Sequence, residues 1–512
     1  MRVLAIDQGT TNTKAVLVDA TGKVLARASQ PLTTAYPKPG WAEQSATDIW
    51  ASVQAVIAEV AAHNGAPDAI AIANQRETLV VWDADTSTPI CPAPIWQCRR
   101  TADECAALIA AGHDPAVVAA TGLGINPLFP ASKLAWVLHH VPQAAALLAQ
   151  GRLRAGTVDA WLLWQLTGGA SFATDHSNAS RTQLFDTAKL EFSPELAAVF
   201  GASVACLPAA MPSDSLFGTT AAGATALPAG VPIRAIMGDS HAALYGHGIR
   251  KPGVVKATYG TGSSLMTLTP SRVASDHGLS GTIAWTDGAG TAYALEGNIT
   301  VSAQAAAFMA RLLGVGDAAA LSALAETVTD SGGVSFVPAL AGLGAPHWDD
   351  HATGTVTGMT HATTPAHLAR ATFDAICHQI ADVYDAMAQD IGHPLTGLRA
   401  DGGASGNTFL MQLQADILGQ TVQRMAVEEV GALGVAAMAF THFGVTMPLD
   451  LNRNEQSLIG EVERSLEQSG LRPTDRRDVE YQLAFSVEDG PVNADVRLDL
   501  YQGRNRVAYA NA

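Results

Sequence analysis

Short apolar runs broken by turns rich in Gly, Asp and Thr open the chain and set its rhythm. Arg2-Val3-Leu4-Ala5-Ile6 reads as a buried strand, Asp7-Gln8-Gly9-Thr10-Thr11 as a turn, and Ala15-Val16-Leu17-Val18-Asp19 as a returning strand. Asp19-Ala20-Thr21-Gly22 turns again toward Lys23-Val24-Leu25-Ala26, so the chain begins with hairpins rather than with a strand followed by a helix. From residue 48 to residue 63 apolar positions recur at helical spacing, and Ala69–Asn74 then reads as a strand leading into Gln75-Arg76-Glu77-Thr78. Further helices are predicted over 102–111, 133–140 and 160–166. Strand-like runs alternating with Ala-rich amphipathic helices define an α/β chain.

A break falls near residues 246–253, where Gly246-His247-Gly248 is followed by Lys251-Pro252-Gly253. Beyond it the opening theme recurs, because Val254-Val255-Lys256-Ala257-Thr258-Tyr259 runs into the turn Gly260-Thr261-Gly262-Ser263-Ser264. A turn that exposes a carboxylate, backbone N–H groups and hydroxyls together suits a phosphate. It lacks the Gly-Lys-Ser/Thr ending of a P-loop and the Gly-x-Gly-x-x-Gly of a dinucleotide turn. Two such turns in two halves suggest a duplicated core gripping phosphates from both sides, the alternative being a pair of plain Gly-rich hairpins. A third small-residue loop, from Asp401 through Gly402, Gly403 and Gly406 to Asn407, precedes a helix predicted over 408–418.

Composition narrows the function. The 512 residues are 48% hydrophobic and 15% charged, enough for large cores in two or three domains. Lys and Arg total 30 against 47 acidic residues, a formal charge of −17, so a nucleic acid is not expected as a partner. The five cysteines form no Cys-x-x-Cys pair, and neither a disulfide framework nor a metal site is expected from them. No signal-peptide pattern or spanning apolar run is visible, so a cytoplasmic protein without a membrane partner is expected.

Several blocks, taken together, resemble the FGGY family of carbohydrate kinases, with its glycerol kinases the most similar branch. They are Asp7-Gln8-Gly9-Thr10-Thr11, Asn74-Gln75-Arg76-Glu77-Thr78, Ser177-Asn178-Ala179-Ser180-Arg181-Thr182, Tyr259-Gly260-Thr261-Gly262, Gly342-Leu343-Gly344-Ala345-Pro346 and the stretch from Gly354 through Asp374. The resemblance spans about residues 2–442. It implies two actin-like, ribonuclease H-like ATPase domains with a catalytic cleft between them. Residues 1–247 would bind acceptor and phosphate, 253–445 would bind ATP, and 446–512 would form a tail with a possible strand or arm near 495–501. A homo-oligomer, dimer or tetramer, is also implied.

The implied reaction passes the γ-phosphoryl group of ATP to a hydroxyl of a small polyol or sugar. Asp239 would be the catalytic base, its plainer reading being a helix N-cap. Asp7 would hold Mg²⁺ through water. Thr10, Thr11, Asn12 and Lys14 would contact phosphate, with Lys14 standing where an Arg is usual. Gly260, Thr261 and Gly262 would approach the phosphates from the other domain, and Gly403 and Asn407 would line the adenosine side, Asn407 alternatively being a helix cap. Arg76, Glu77 and Trp96 match the polyol site, whereas Leu128 stands in place of a Tyr, Ser240 in place of a Gln and Cys98 in place of an Asp. These departures point to an acceptor other than glycerol, such as a four- to five-carbon polyol or a ketose of the xylulose or ribulose type. Compensation by neighbouring side chains would leave a glycerol kinase. A non-catalytic ATP-binding regulator of the same fold is the third reading.

Overall fold

The computed structural model describes residues 1–425, 429–449 and 456–458. The strand expected near 495–501 lies outside them. The opening hairpins form as the apolar pattern requires: β1 (Arg2–Gln8), β2 (Asn12–Asp19) and β3 (Val24–Pro31) run antiparallel. On its other side β1 pairs in parallel with β4 (Ala69–Asn74). Beyond it come β6 (Pro232–Gly238), parallel to β4, and the short β5 (Gly218–Thr219). The sheet order is thus β5-β6-β4-β1-β2-β3.

The second half repeats this plan. β7 (Val254–Tyr259) turns back into β8 (Ser263–Thr269) and lies parallel to β11 (Gly397–Asp401) on its other side. β9 (Ser280–Asp287), β10 (Gly290–Ile299), β12 (Val422–Arg424) and β13 (Gln456–Leu458) complete the order β9-β10-β8-β7-β11-β12-β13. In each sheet, then, a central strand has an antiparallel neighbour reached by a Gly/Thr turn and a parallel neighbour opposite. Both turns emerge at the ends of these central strands.

Residue size along β4 decides how the first sheet is covered. Its Ile70 and Ile72 face α1 (Ala46–Asn64), where they join Ile49, Val53, Val56 and Val60 in one apolar cluster. Ala69, Ala71 and Ala73 point the other way, and their small side chains admit two closely packed helices, α3 (Asp239–Gly246) and α6 (Val430–Thr441). The sequence order puts α6 in the second domain. In space it packs on β1, β4, β6 and α3 of the first sheet, as an almost wholly apolar helix must find cover on every side.

The α3–α6 crossing is backbone on backbone. A Cβ at Gly434 would lie 1.9 Å from the Ala242 carbonyl oxygen, and one at Gly246 would lie 2.2 Å from that of Val430. Gly434→Ala is therefore expected to destabilise the protein by about 1–3 kcal/mol through overpacking. A urea midpoint equal to that of the parent would contradict this crossing. The second sheet is covered by α4 (Pro365–Ile391), whose Phe373, Ile376, Ile380 and Val383 meet Leu265 and Leu295. Among the described residues no single helix is long and apolar enough to cross a membrane.

Candidate active site

The turn between β1 and β2 is closed by the Gly9 N–H donating to the Asn12 carbonyl at 3.0 Å, and Thr11 and Asn12 are exposed at its tip. Asp7 and Lys14 face each other across the hairpin. Burial, and next the charge of Asp239, push the Asp7 carboxyl up to about 6, with Lys14 opposing the shift. Two carboxylates crowded in this way suit a cation. No group of three or more His, Cys, Asp or Glu side chains able to hold a metal occurs among the described residues. The Asp7 carboxylate, with Asp239 near enough to influence it, is a donor set of the kind Mg²⁺ takes, one or two carboxylates with the rest of the shell from water and phosphate.

Thr10 is committed inward. Its hydroxyl accepts from Trp96 Nε1 at 2.9 Å and donates to Gln75 Oε1 at 3.2 Å. Gln75 in turn donates to Gln44 Oε1 at 2.9 Å and to Gln8 Oε1 at 3.2 Å, while Gln44 Nε2 reaches the Thr10 carbonyl at 2.6 Å. This amide network ties the β1–β2 turn to Trp96. Gln8 and Gln75 stand in recognisable blocks and Gln44 in none, and no local pattern signals that the three amides meet.

Asp239 is the first residue of α3, and Gly238 is its cap residue, so the carboxylate is not the cap. Asp239 Oδ1 accepts from Arg76 Nε at 2.9 Å and from the Ser240 N–H at 2.6 Å. Arg76 is the hub of the site. It also donates from Nη1 to Glu296 Oε1 at 2.5 Å and from Nη2 to Ser240 Oγ at 3.1 Å. Burial alone would lower its pKa, but Glu296, Glu77 and Asp239 together raise it, so the guanidinium is always charged. Glu296, on β10 of the second half, is fully buried and forms a second ion pair with Arg181 Nη2 at 2.7 Å. Against the penalty of burial, Arg181 and Arg76 hold its carboxyl well below the usual range. Ser264 on β8 donates to Glu296 at 3.1 Å and shares a 3.2 Å hydrogen bond with Ser240. The two halves therefore meet directly at the site.

Glu77 receives Arg181 Nε at 2.7 Å and has a backbone φ of 61°, a left-handed conformation that is costly for a side chain with a Cβ. Leu128 lies in the loop before α2 (Pro130–His140), its N–H bound by Asn126 Oδ1 at 2.9 Å. Cys98 is buried and accepts from Arg100 Nε at 3.0 Å. His241, next to Ser240, is fully buried; desolvation first, and Arg76 second, keep its pKa well below the ordinary value, so it is neutral.

On the second half, the Gly260 N–H closes its turn onto the Gly262 carbonyl at 2.9 Å, and Thr261 is exposed between them. In the loop after β11, Gly402 has a φ of +87°, and a Cβ there would meet the Tyr259 backbone at 2.6 Å. Glycine thus lets this loop lie against the Tyr259 end of β7, with Gly403 exposed beside it. Asn407 caps α5 (Thr408–Leu418), its Oδ1 accepting from the Leu410 N–H at 3.0 Å, which leaves its amide N–H₂ free of that duty. Arg424 Nη1 steadies the loop through the Gly406 carbonyl and Thr408 Oγ1, both at 3.1 Å.

A duplicated strand–turn–strand core with two Gly/Thr turns and a buried Arg–carboxylate hub is an arrangement suited to phosphoryl transfer. Family models described as the N-terminal and C-terminal domains of the FGGY family of carbohydrate kinases match residues 2–246 and 255–443, and the chain belongs to that family. It is 47% identical over 437 residues to an apulose kinase of Pectobacterium atrosepticum, covering 85% of this chain and 88% of the relative. It is 46% identical over 443 residues to a glycerol kinase of Symbiobacterium thermophilum, covering 85% and 89%. Among solved structures, Plasmodium falciparum glycerol kinase with ADP superposes with a TM-score of 0.85 at 28% identity, covering 91% of this chain and 96% of that one. The xylulose kinase of Rhodospirillum rubrum gives 0.80 at 27%, covering 92% and 97%. The protein is a carbohydrate kinase that uses ATP.

Proposed function

We propose that this kinase transfers the γ-phosphoryl group of ATP to a hydroxyl of a four- to five-carbon polyol or ketose, with Asp239 as the base. The observation that carries the reading is the convergence on Arg76, which fixes one oxygen of Asp239 while its other donors reach Glu296 and Ser240. A carboxylate held by one oxygen can offer the other to an acceptor hydroxyl and take its proton as the phosphoryl group moves. Asp7 would hold Mg²⁺, which when bound neutralises phosphate charge. Thr11, Asn12, Lys14 and the Gly260-Thr261-Gly262 turn would bind phosphate oxygens through hydroxyl, amide, ammonium and backbone groups. Thr10, with its side chain spent on Trp96, would offer its N–H. Gly403 and Asn407 would border the adenosine.

The choice of acceptor rests on what the wall offers. Arg76, Glu77 and Trp96 supply charged partners and an aromatic face, a suitable pairing for a polyol. The Leu128 side chain supplies no hydrogen bond, and the Ser240 hydroxyl is already engaged by Arg76 and Ser264. Relatives of nearly equal identity are named for apulose and for glycerol, so similarity at this level spans more than one acceptor. The test is ADP formation from Mg·ATP with and without a panel of polyols and ketoses. ADP release that depends on the acceptor, and that disappears on chelating Mg²⁺, is expected. Equal hydrolysis with and without every acceptor, unchanged in Asp239→Asn, would instead mark a non-catalytic ATP-binding regulator.

A further inference from the structure

Lys133, on α2, is fully buried, and its Nζ donates to two main-chain carbonyls, those of Glu77 at 3.1 Å and Leu128 at 2.7 Å. These are two segments of the acceptor wall that are 51 positions apart in the chain. Glu77 sits in the left-handed region, where a side chain is strained unless its surroundings over-determine it. Its carboxylate is fixed by Arg181 and its carbonyl by Lys133, so the residue is clamped at both ends. Leu128 itself is otherwise held by the local Asn126 turn, in a loop tied at its flanks where the Ile125 N–H donates to Asp114 Oδ1 at 2.6 Å and the Ala131 N–H to the Thr182 carbonyl at 3.0 Å. A buried ammonium is costly to maintain. Desolvation lowers the pKa of Lys133 to about 7 against the pull of Cys98 and Glu77. Its hydrogen bonds go to the carbonyls of the acceptor wall and to no carboxylate among the described residues.

We propose that Lys133 is the positioning residue of the acceptor site: it fixes the Glu77 backbone relative to Leu128 and thereby sets which small polyols and sugars fit. The proposal rests on the acceptor reading given above. It separates Lys133 from the groups that touch substrate, because its ammonium lies behind the wall and reaches it through backbone carbonyls alone. Loss of the two bonds would let the Glu77 backbone relax and the 126–130 loop shift. A displacement of the order of 1 Å at a positioned group can cost about 100-fold in efficiency.

The experiment compares wild type, Lys133→Met and Lys133→Arg for acceptor KM, ATP KM and kcat over the acceptor panel, with amide hydrogen exchange of the 74–80 and 124–132 segments. Lys133→Met is expected to raise the KM of the best acceptor by about tenfold or more and to narrow the preference between acceptors. ATP KM should stay within about twofold, and exchange should quicken in those two segments. Lys133→Arg, which keeps N–H donors and charge, should recover part of the acceptor KM. If both variants bind acceptors with the parent's KM values and ratios, or lose ATP and acceptor affinity equally with faster exchange throughout, the proposal is overturned. If wild type phosphorylates no acceptor at all, the acceptor reading itself falls, and Lys133 with it.

Discussion

Asp239→Asn is expected to reduce acceptor-dependent ADP formation by about 10²–10⁴-fold in kcat, with acceptor KM changed far less. The reasoning is local. The Asn carbonyl can still accept from Arg76 Nε and the Ser240 N–H, the two bonds that hold Asp239 Oδ1 at 2.9 and 2.6 Å. The shape of the site and the start of α3 therefore survive. What the amide cannot do is take up the acceptor proton. Steady-state kinetics with saturating Mg·ATP measures this directly. A kcat within a few-fold of the parent would remove Asp239 from the chemistry and leave it a partner of Arg76.

Glu296→Gln is expected to have the largest effect on stability. It removes a charge that is fully buried and paired with both Arg76 and Arg181, leaving Arg76 to its pairing with Asp239 and Arg181 to its pairing with Glu77. Breaking a buried ion pair from one side costs about 3–5 kcal/mol. The change also frees the hub that orients Asp239, so activity should fall with stability. The pH dependence has a definite sign. In the fold the Glu296 carboxyl is held below its ordinary 4.5, so its contribution is present above 4.5 and is lost as pH falls through the lower folded value. Denaturation followed from pH 6 into acid should therefore be steeper for the parent than for Glu296→Gln. Parallel profiles and equal midpoints would contradict the buried clamp.

Much of the architecture was legible because it is carried by local pattern. The period-two alternation of Ile and Ala fixes Ala69–Asn74 as a strand covered on both faces, and the two Gly/Thr turns mark the ends of the central strands. The apolar pattern places helix starts late where the first turn holds proline or polar residues. The helix expected from 133 begins at Pro130, whose fixed φ suits the first helical position. Asn407 performs the capping role that its position before an apolar run suggests. The hub was read in part. Arg76 and Asp239 stand in recognisable blocks, but Glu296 is a single charge in an apolar strand, 220 positions from Arg76. Arg181 stands in one of the recognisable blocks, with no local signal that it meets Glu77, 104 positions away. Pairings of that separation are fixed by the packing of the two sheets, and a local window does not contain them. The same holds for α6, which sequence order assigns to one half and burial assigns to the other.

We propose that the acceptor wall of this FGGY kinase is shaped by Leu128, Glu77 and Trp96 for something other than glycerol. The most direct measurement is kcat/KM for glycerol beside a set of tetritols, pentitols and pentuloses in a coupled ADP assay with the full-length protein. With an apolar side chain at Leu128 the wall lacks a hydroxyl partner that would favour glycerol, so at least one four- or five-carbon acceptor should exceed glycerol by about tenfold or more. Glycerol outperforming every member of the set would contradict the claim and make the protein a glycerol kinase with a rebuilt wall.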